Sequence, residues 1–507
     1  MKTRFDSILA RFWPKAGAAT VANAQQSDAA KPTPHAVFFR NLAVAVLVIK
    51  LIILSFDPHV RLFMGDSATY LSSSVDHWTP PDRSFVYPMI IDLTAGSSHS
   101  IITLLAIQTL IGVATTLLAG WILLGFFGVK RGIVATVVLA LVIDPSQLFY
   151  ERMVMTESIS TFALIAMLAT ALAYLRKGNL AWLLVCAGLG VFLTSLRAAM
   201  APLALLLPMT SVMLSIPPRS GAWRRWGIHL LIALAATWAG HTAYKHWYAA
   251  RAGGEPAYIR DAGMFRLGLV APLVKPAHFA GTGIDPAMLD EVRIPLAQPH
   301  KREEQIWLPG GLIDVLNQHA GVRARSIADT IANRAIVDDP IGVLRLGLLT
   351  ESEYFDSAKR RERLWSDLGS GQLPNKRTIE LLHDRFHYDA STIARTPTIV
   401  WSYFSLTAMW PVGCHFALPP LAILLLVFCP RRQRRFAVLL ALVCIGLSIG
   451  HMLGAHIISF RYLHPFSVLA VVCAGILANA LLPWWTRIAA PRRKAHNRDS
   501  LQPLISI

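Results

Sequence analysis

Residues 101–143 read IITLLAIQTLIGVATTLLAGWILLGFFGVKRGIVATVVLALVI. Two apolar runs flank one basic hairpin, Lys130-Arg131, and no acidic residue interrupts them. An α-helix rises about 1.5 Å per residue, so roughly 20 apolar residues cross about 30 Å of hydrocarbon. The run 101–127 meets that length; the run 132–143 is short for it. Working outward, eight further stretches have the same character: 37–56, 156–175, 180–196, 198–215, 227–249, 411–429, 436–455 and 463–484. Two shorter pieces, 88–95 and 396–410, are candidates for re-entrant or surface-lying segments.

Composition agrees. Hydrophobic residues make up 54% of the 507-residue chain and charged residues only 15%, against about 25% charged in an average soluble protein. The mean hydropathy is +0.47. These values exclude a soluble domain and a disordered chain. The five cysteines, Cys186, Cys414, Cys429, Cys444 and Cys473, lie in or beside apolar runs without a CxxC pair. They make neither a disulfide framework nor a metal knuckle.

The charge is one-sided. The N-terminal tail, four hairpins (Lys130-Arg131; Arg176-Lys177; Arg219, Arg224 and Arg225; Arg431, Arg432, Arg434 and Arg435) and the C-terminal tail hold 21 basic residues against three acidic ones. That difference equals the whole net charge of +18. Basic residues concentrate in cytoplasmic loops, so both termini and these hairpins are expected in the cytoplasm, and the number of spans is expected to be even. A nucleic-acid partner is not expected from such a distribution. The tail before residue 37 has no apolar core of a signal peptide and is expected to be disordered.

The expected division is a disordered cytoplasmic tail (1–36), an N-terminal transmembrane module (37–249) with a first outer loop at 57–100, an extracytoplasmic domain (250–410), a C-terminal transmembrane module (411–485) and a basic cytoplasmic tail (486–507). Between 251 and 400 the chain has 19 basic and 19 acidic residues, too polar to cross a bilayer. The stretch 323–349 has helical spacing of apolar residues, broken at Asp339-Pro340.

Chemistry is sought at the outer boundary. Asp66, in RLFMGDSATYLSSSVDHWTPPDRSFVYPMIIDLTA (61–95), follows the first span between aromatic and apolar neighbours. Desolvation there would favour its neutral form and make it a better base; a helix-capping role is the structural alternative. Glu157, in DPSQLFYERMVMTE (144–157), opens the next span, where a helix dipole favours a carboxylate. Glu151 and Arg152 are expected to pair with each other. Arg197 and Arg461 stand at the outer boundary, where the charge rule does not ask for them, and a guanidinium fork matches phosphate oxygens. Lys50 and Lys245 are expected to snorkel to headgroups. His451, His456 and His464 gather near the last outer turn, but the five-residue step from His451 to His456 is not the i, i+4 spacing of a helical metal pair.

In order and sidedness, these motifs resemble the GT-C superfamily of membrane glycosyltransferases, nearest in pattern to bacterial aminoarabinose transferases and protein O-mannosyltransferase-like enzymes. The residues that carry the resemblance are Gly65-Asp66-Ser67-Ala68-Thr69-Tyr70, Pro80-Pro81-Asp82-Arg83, Tyr87-Pro88, Gln108, Asp144-Pro145, Tyr150 through Glu157, Gly188-Leu189-Gly190 through Arg197, and Arg461-Tyr462-Leu463-His464-Pro465. They cover about 40–215 and 455–485; the segment 250–400 matches no pattern of the superfamily.

The resemblance implies an all-α polytopic membrane protein, a GT-C-like bundle of about 10–12 spans with a mainly helical extracytoplasmic domain. It implies a polyprenyl-phosphate sugar donor, an acceptor that is a glycan, lipid or protein, and a bacterial inner (plasma) membrane. Asp66 would be the general base, Glu157 a second acid, and Arg461, Arg197 and then Arg83 the donor-phosphate ligands, with inversion at the anomeric carbon. Some members use a divalent metal; no DxD occurs in the first outer loop, so no metal requirement is expected, though a divalent ion is left open. Without the second adjacent acid of the protein mannosyltransferases, a protein acceptor is disfavoured. A lipid or polysaccharide flippase is the rival, but it would place polar groups at mid-membrane, often within repeats. A non-catalytic assembly protein is the second rival and would not need Asp66.

Overall fold

The computed structural model describes residues 34–215, 223–369, 374–390, 393 and 397–496. Most of the expected tail 1–36, the hairpin residue Arg219 and the end of the basic tail 486–507 lie outside the described residues. Every apolar run becomes a helix. In the N-terminal half these are α1 (Pro34–Phe56), α2 (Met64–Asp76), α3 (Val86–Ile91, continued by a π-helical turn, Asp92–Gly96), α4 (Ile101–Gly125), α5 (Arg131–Val142), α6 (Pro145–Tyr150), α7 (Glu157–Lys177), α8 (Leu180–Leu196), α9 (Ala201–Leu214) and α10 (Trp223–Ala252). The intervening segment forms α11 (Ala262–Leu269), α12 (Arg302–Trp307), α13 (Leu312–Ala320), α14 (Ala324–Asp338), α15 (Pro340–Glu353), α16 (Ser357–Asp367), α17 (Lys376–Phe386) and α18 (Ile399–Leu406), joined by short 3₁₀ turns. The last described helices are α19 (Met409–Phe428), α20 (Arg434–Gly454) and α21 (His464–His496).

The chain is an all-α polytopic membrane protein. Six of the described helices (α1, α4, α7, α19, α20 and a segment ending in α21) are long and apolar enough to cross a membrane, and α5, α8 and α9 are shorter apolar helices. The run 227–249 lies inside the 30-residue α10, whose ends carry basic residues. The apolar pieces 88–95 and 396–410 are helical too, as α3 with its π turn and α18.

Helix α7 is the axis of the bundle, buried over nearly its whole length and packed against α4, α8 and α20. Helix α1 lies at the margin, with Val44, Val48, Leu51 and Ile52 exposed, as a lipid-facing span requires. A separate apolar core joins α11, α13 and α14 within the polar middle segment. The break expected at Asp339-Pro340 is the junction of α14 and α15, with the Asp339 side chain accepting the Gly342 amide at 2.7 Å.

The expected Glu151–Arg152 pair does not form. Glu151 instead accepts a hydrogen bond from Lys50 Nζ at 2.7 Å, both side chains fully buried, and from Gln147 Nε2 at 2.9 Å. Lys50 therefore does not snorkel. It points inward because a buried carboxylate offers it a charged partner that lipid cannot. Space for the pair comes from Gly112, where any Cβ would overlap Glu151 Oε1. Arg152 donates to the carbonyls of Asp57 and Leu148.

Candidate active site

The site begins with backbone clips. Arg61 N–H donates to Arg152 O at 2.8 Å and Val154 N–H to Arg61 O at 3.0 Å, so the loop after α1 lies beside the turn before α7. Ser67 Oγ accepts the Phe63 amide at 2.7 Å and donates to Val154 O at 2.9 Å. Gln108 ties in the second loop element: it accepts from Tyr87 Oη at 2.9 Å and donates to the carbonyls of Glu151 and Met153. Together these hold the first turn of α2 over the start of α7.

Asp66 is not a helix cap. It sits in the first turn of α2, whose N-cap is Phe63 with no side-chain cap bond. Its carboxylate faces two guanidiniums, with Arg461 Nη1 2.6 Å from Oδ2 and Arg83 Nη2 3.1 Å from Oδ1. Asp66 is partly exposed, at 26% of its side-chain area. Burial pushes its pKa up, but Arg461 and Arg83 outweigh burial and hold it below the ordinary 3.8. This corrects the expectation of a carboxylate made more basic by desolvation: the arginine pair wins because opposite charges stand within about 4 Å.

Arg461 belongs to the 3₁₀ turn Phe460–Leu463. Asp367 fixes that turn, its Oδ2 accepting Phe460 N–H at 2.6 Å and Ser459 Oγ–H at 2.8 Å. Arg363 lies 3.1 Å from the other Asp367 oxygen. The Arg461 guanidinium rests 4.4 Å from the ring centre of Phe63 and 4.9 Å from that of Tyr462. The opposite side of the cluster is Glu157 with Arg197, Oε1 to Nη2 3.5 Å, and Arg197 also stands 5.5 Å from the Tyr462 ring. Tyr462 thus joins both arginines.

All five expected residues, Asp66, Glu157, Arg83, Arg197 and Arg461, line one cavity of about 1930 Å³ that runs between the bundle and the middle segment. Each of the three arginines keeps one buried N–H without a partner: Arg83 Nη1, Arg197 Nη1 and Arg461 Nε. Glu157 Oε2 is likewise unpartnered. Buried donors are normally paired, so unpartnered donors on three arginines that line one cavity suit an anionic ligand with several oxygens. Cavity volume and donor set together can take a phosphate with a sizeable group attached.

One placement here departs from expectation, that of Lys245, while Arg83 stands against Asp66 as Arg461 does. Lys245 lies in the cavity wall 4.6 Å from the Tyr258 ring centre, not out among headgroups, because an aromatic face offers the ammonium a partner inside the cavity. Asp367 and Tyr462 were not singled out from the sequence as functional; the Arg461-Tyr462 motif was the available signal for Tyr462. Of the three histidines, His451 and His456 both line the cavity and His464 does not. His464 is buried between Thr161 Oγ1 and Gln147 Oε1, whereas His451 faces Glu351 and Tyr354.

No family profile matches the chain, and no curated protein matches it. Among solved structures, the chain is similar to a crystal structure of ArnT from Cupriavidus metallidurans bound to undecaprenyl phosphate. The match has 14% identity, spans 87% of this chain and 78% of that one, and has a TM-score of 0.33.

Proposed function

We propose that the chain is a GT-C-like membrane glycosyltransferase that moves a sugar from a polyprenyl-phosphate donor to an acceptor hydroxyl on the extracytoplasmic face of a bacterial inner membrane. The observation that carries the proposal is the meeting of Asp66 with Arg83 and Arg461, and of Glu157 with Arg197, in one cavity at an end of a membrane bundle. A prenyl chain needs lipid-facing helices, while its sugar phosphate needs a polar cavity at their ends, and this arrangement supplies both.

The chemistry follows from the contacts. Donor phosphate oxygens compete with the Asp66 carboxylate for Arg461 and Arg83. As the arginines turn to phosphate, Asp66 loses its two cationic partners and its proton affinity rises. It then accepts the proton of the acceptor hydroxyl while that oxygen forms a bond to the anomeric carbon. The bond from this carbon to the phosphate oxygen breaks, and prenyl phosphate leaves with the electron pair. Charge growing on the phosphate is stabilised by the fixed guanidiniums, and a single in-line displacement inverts the anomeric centre. Glu157 orients the acceptor or Arg197.

The test is transfer of label from a panel of radiolabelled polyprenyl-phosphate sugars into envelope extract, using purified full-length chain in nanodiscs. Label transfer by the wild type, and its loss in Asp66→Asn and Arg461→Ala, is expected. Movement of donor between the leaflets of sealed proteoliposomes, without any transfer, would establish the flippase instead.

A further inference from the structure

The transferase cavity leaves one buried polar cluster unexplained. Glu351 on α15, His415 on α19 and His451 on α20 come from three helices, the last two consecutive in the chain. Glu351 Oε2 lies 2.7 Å from His415 Nε2, and Glu351 Oε1 lies 2.9 Å from His451 Nδ1. One ligand atom from each of the three residues falls within 4.8 Å of the others. Both imidazoles are 5% exposed and the carboxylate 13%. We infer that Glu351, His415 and His451 form a zinc site, held between the polar middle segment and the C-terminal transmembrane helices.

The donor set is the first reason. Two imidazoles and a carboxylate suit a borderline divalent ion such as zinc, at about 2.0–2.2 Å from each ligand atom. An ion at those distances separates neighbouring ligand atoms by roughly 3.3 Å in a tetrahedron, so the cluster closes on zinc through side-chain adjustments under about 1 Å. His451 also lines the large cavity, which supplies an entry path and room for a water as fourth ligand.

The support around the cluster is the second reason. Metal-binding imidazoles commonly have their other nitrogen held by a hydrogen-bond partner; His451 has one, whereas His415 Nδ1 is buried without one. Tyr354 Oη lies 3.3 Å from His451 Nε2 and is itself tied to Ser459 O and N, so Nδ1 is the atom left to face Glu351. One turn before Glu351, Gly347 lets α15 approach α20 closely: a Cβ there would lie 2.5 Å from Met452 O. The close approach brings Glu351 beside His451. The ring of Phe466 stands 4.6 Å from that of His415 and 5.6 Å from that of His451, walling the cluster from the bundle core.

The site adjoins the transferase cluster without sharing residues with it. The His451 ring is 6.2 Å from the Tyr462 ring, whose hydroxyl accepts from Arg461 Nη2. Zinc there would brace the wall that carries Arg461. It does not depend on the transferase proposal, and its test needs no sugar donor.

The full chain, purified in detergent without chelator, is expected to carry about one zinc per chain by inductively coupled plasma mass spectrometry. The same zinc is expected after incubation with zinc sulfate and desalting. Glu351→Gln, His415→Gln and His451→Gln should each bring the content below about a fifth of that value. His451→Cys, which keeps a zinc-binding atom, should retain it. Cobalt substitution of the wild type should give visible d–d bands, and X-ray absorption of the zinc form should fit two imidazoles with oxygen ligands. These two measurements stand even if a variant fails to fold. Wild-type protein that takes up no zinc or cobalt overturns the inference. So does zinc content unchanged in all three glutamine variants, or a first shell containing sulfur or only oxygen.

Discussion

Asp66→Asn should have opposite effects on binding and on turnover. The carboxylate occupies two guanidiniums, at 2.6 and 3.1 Å. Unit charges about 4 Å apart at an effective dielectric near 20 interact by about 4 kcal/mol, and partial exposure of Asp66 screens this further. A donor phosphate must overcome part of that attraction to reach the arginines. Removing the charge while keeping the shape should therefore favour phosphate binding by about 1.4 kcal/mol, or tenfold in Kd. The variant also lacks the proton acceptor, so its rate of transfer should fall by about 10²–10⁴. Affinity is measured by titrating a short-chain polyprenyl phosphate into protein in nanodiscs, and transfer by single-turnover label release. Tighter binding with lost turnover supports the shared-arginine mechanism. Binding unchanged or weaker would refute the competition, and turnover within about threefold of wild type would refute the base assignment.

The pH profile should carry the same signature. In the free protein the pKa of Asp66 is depressed, because Arg461 and Arg83 outweigh its burial, so the acid limb of kcat/KM should fall below the ordinary carboxylate value. The acid limb of kcat should lie at higher pH, since phosphate then engages the arginines; coincident limbs would count against it. By linkage, a depressed folded-state pKa contributes stability above 3.8 that is lost as pH falls through the folded value. Unfolding monitored in detergent across that range should show the loss. Lys50→Met should destabilise the bundle by about 3–5 kcal/mol, because it strands the buried Glu151 charge, and adding Glu151→Met should recover most of the loss. Thermal unfolding of single and double variants checks this, and a double variant no better than the single would exclude it. Asp367→Asn should loosen the 459–460 turn that carries Arg461, lowering transfer about tenfold or more, with a smaller loss of folding midpoint than Lys50→Met because Arg363 keeps Glu303 as a partner at 3.1 Å. A midpoint shift as large as that of Lys50→Met would mean the residue acts on stability instead.

Much of this architecture was legible from local pattern. Apolar runs of span length became helices because a membrane leaves the backbone no other way to satisfy its own polar groups. Glu157, Arg197 and Arg461 are legible as ionisable residues at the ends of apolar runs, and Asp66 as a carboxylate set between apolar neighbours in the loop after the first span; all four line one cavity. Pairing across the chain was not legible. Lys50 and Glu151 are 101 positions apart, and no periodicity links them; only the packing of α1 against the α4–α7 region brings the ammonium to the carboxylate. The same holds for Asp66 and Arg461, 395 positions apart, whose contact reversed the expected direction of the Asp66 pKa. Glu351, His415 and His451 are not legible as a set, because each lies on a different helix and no spacing along one helix joins them. Chain-local forces, the hydrophobic run and the helix, are written in neighbouring residues. Electrostatic environment depends on which distant segments share a few ångströms, and that follows from packing alone.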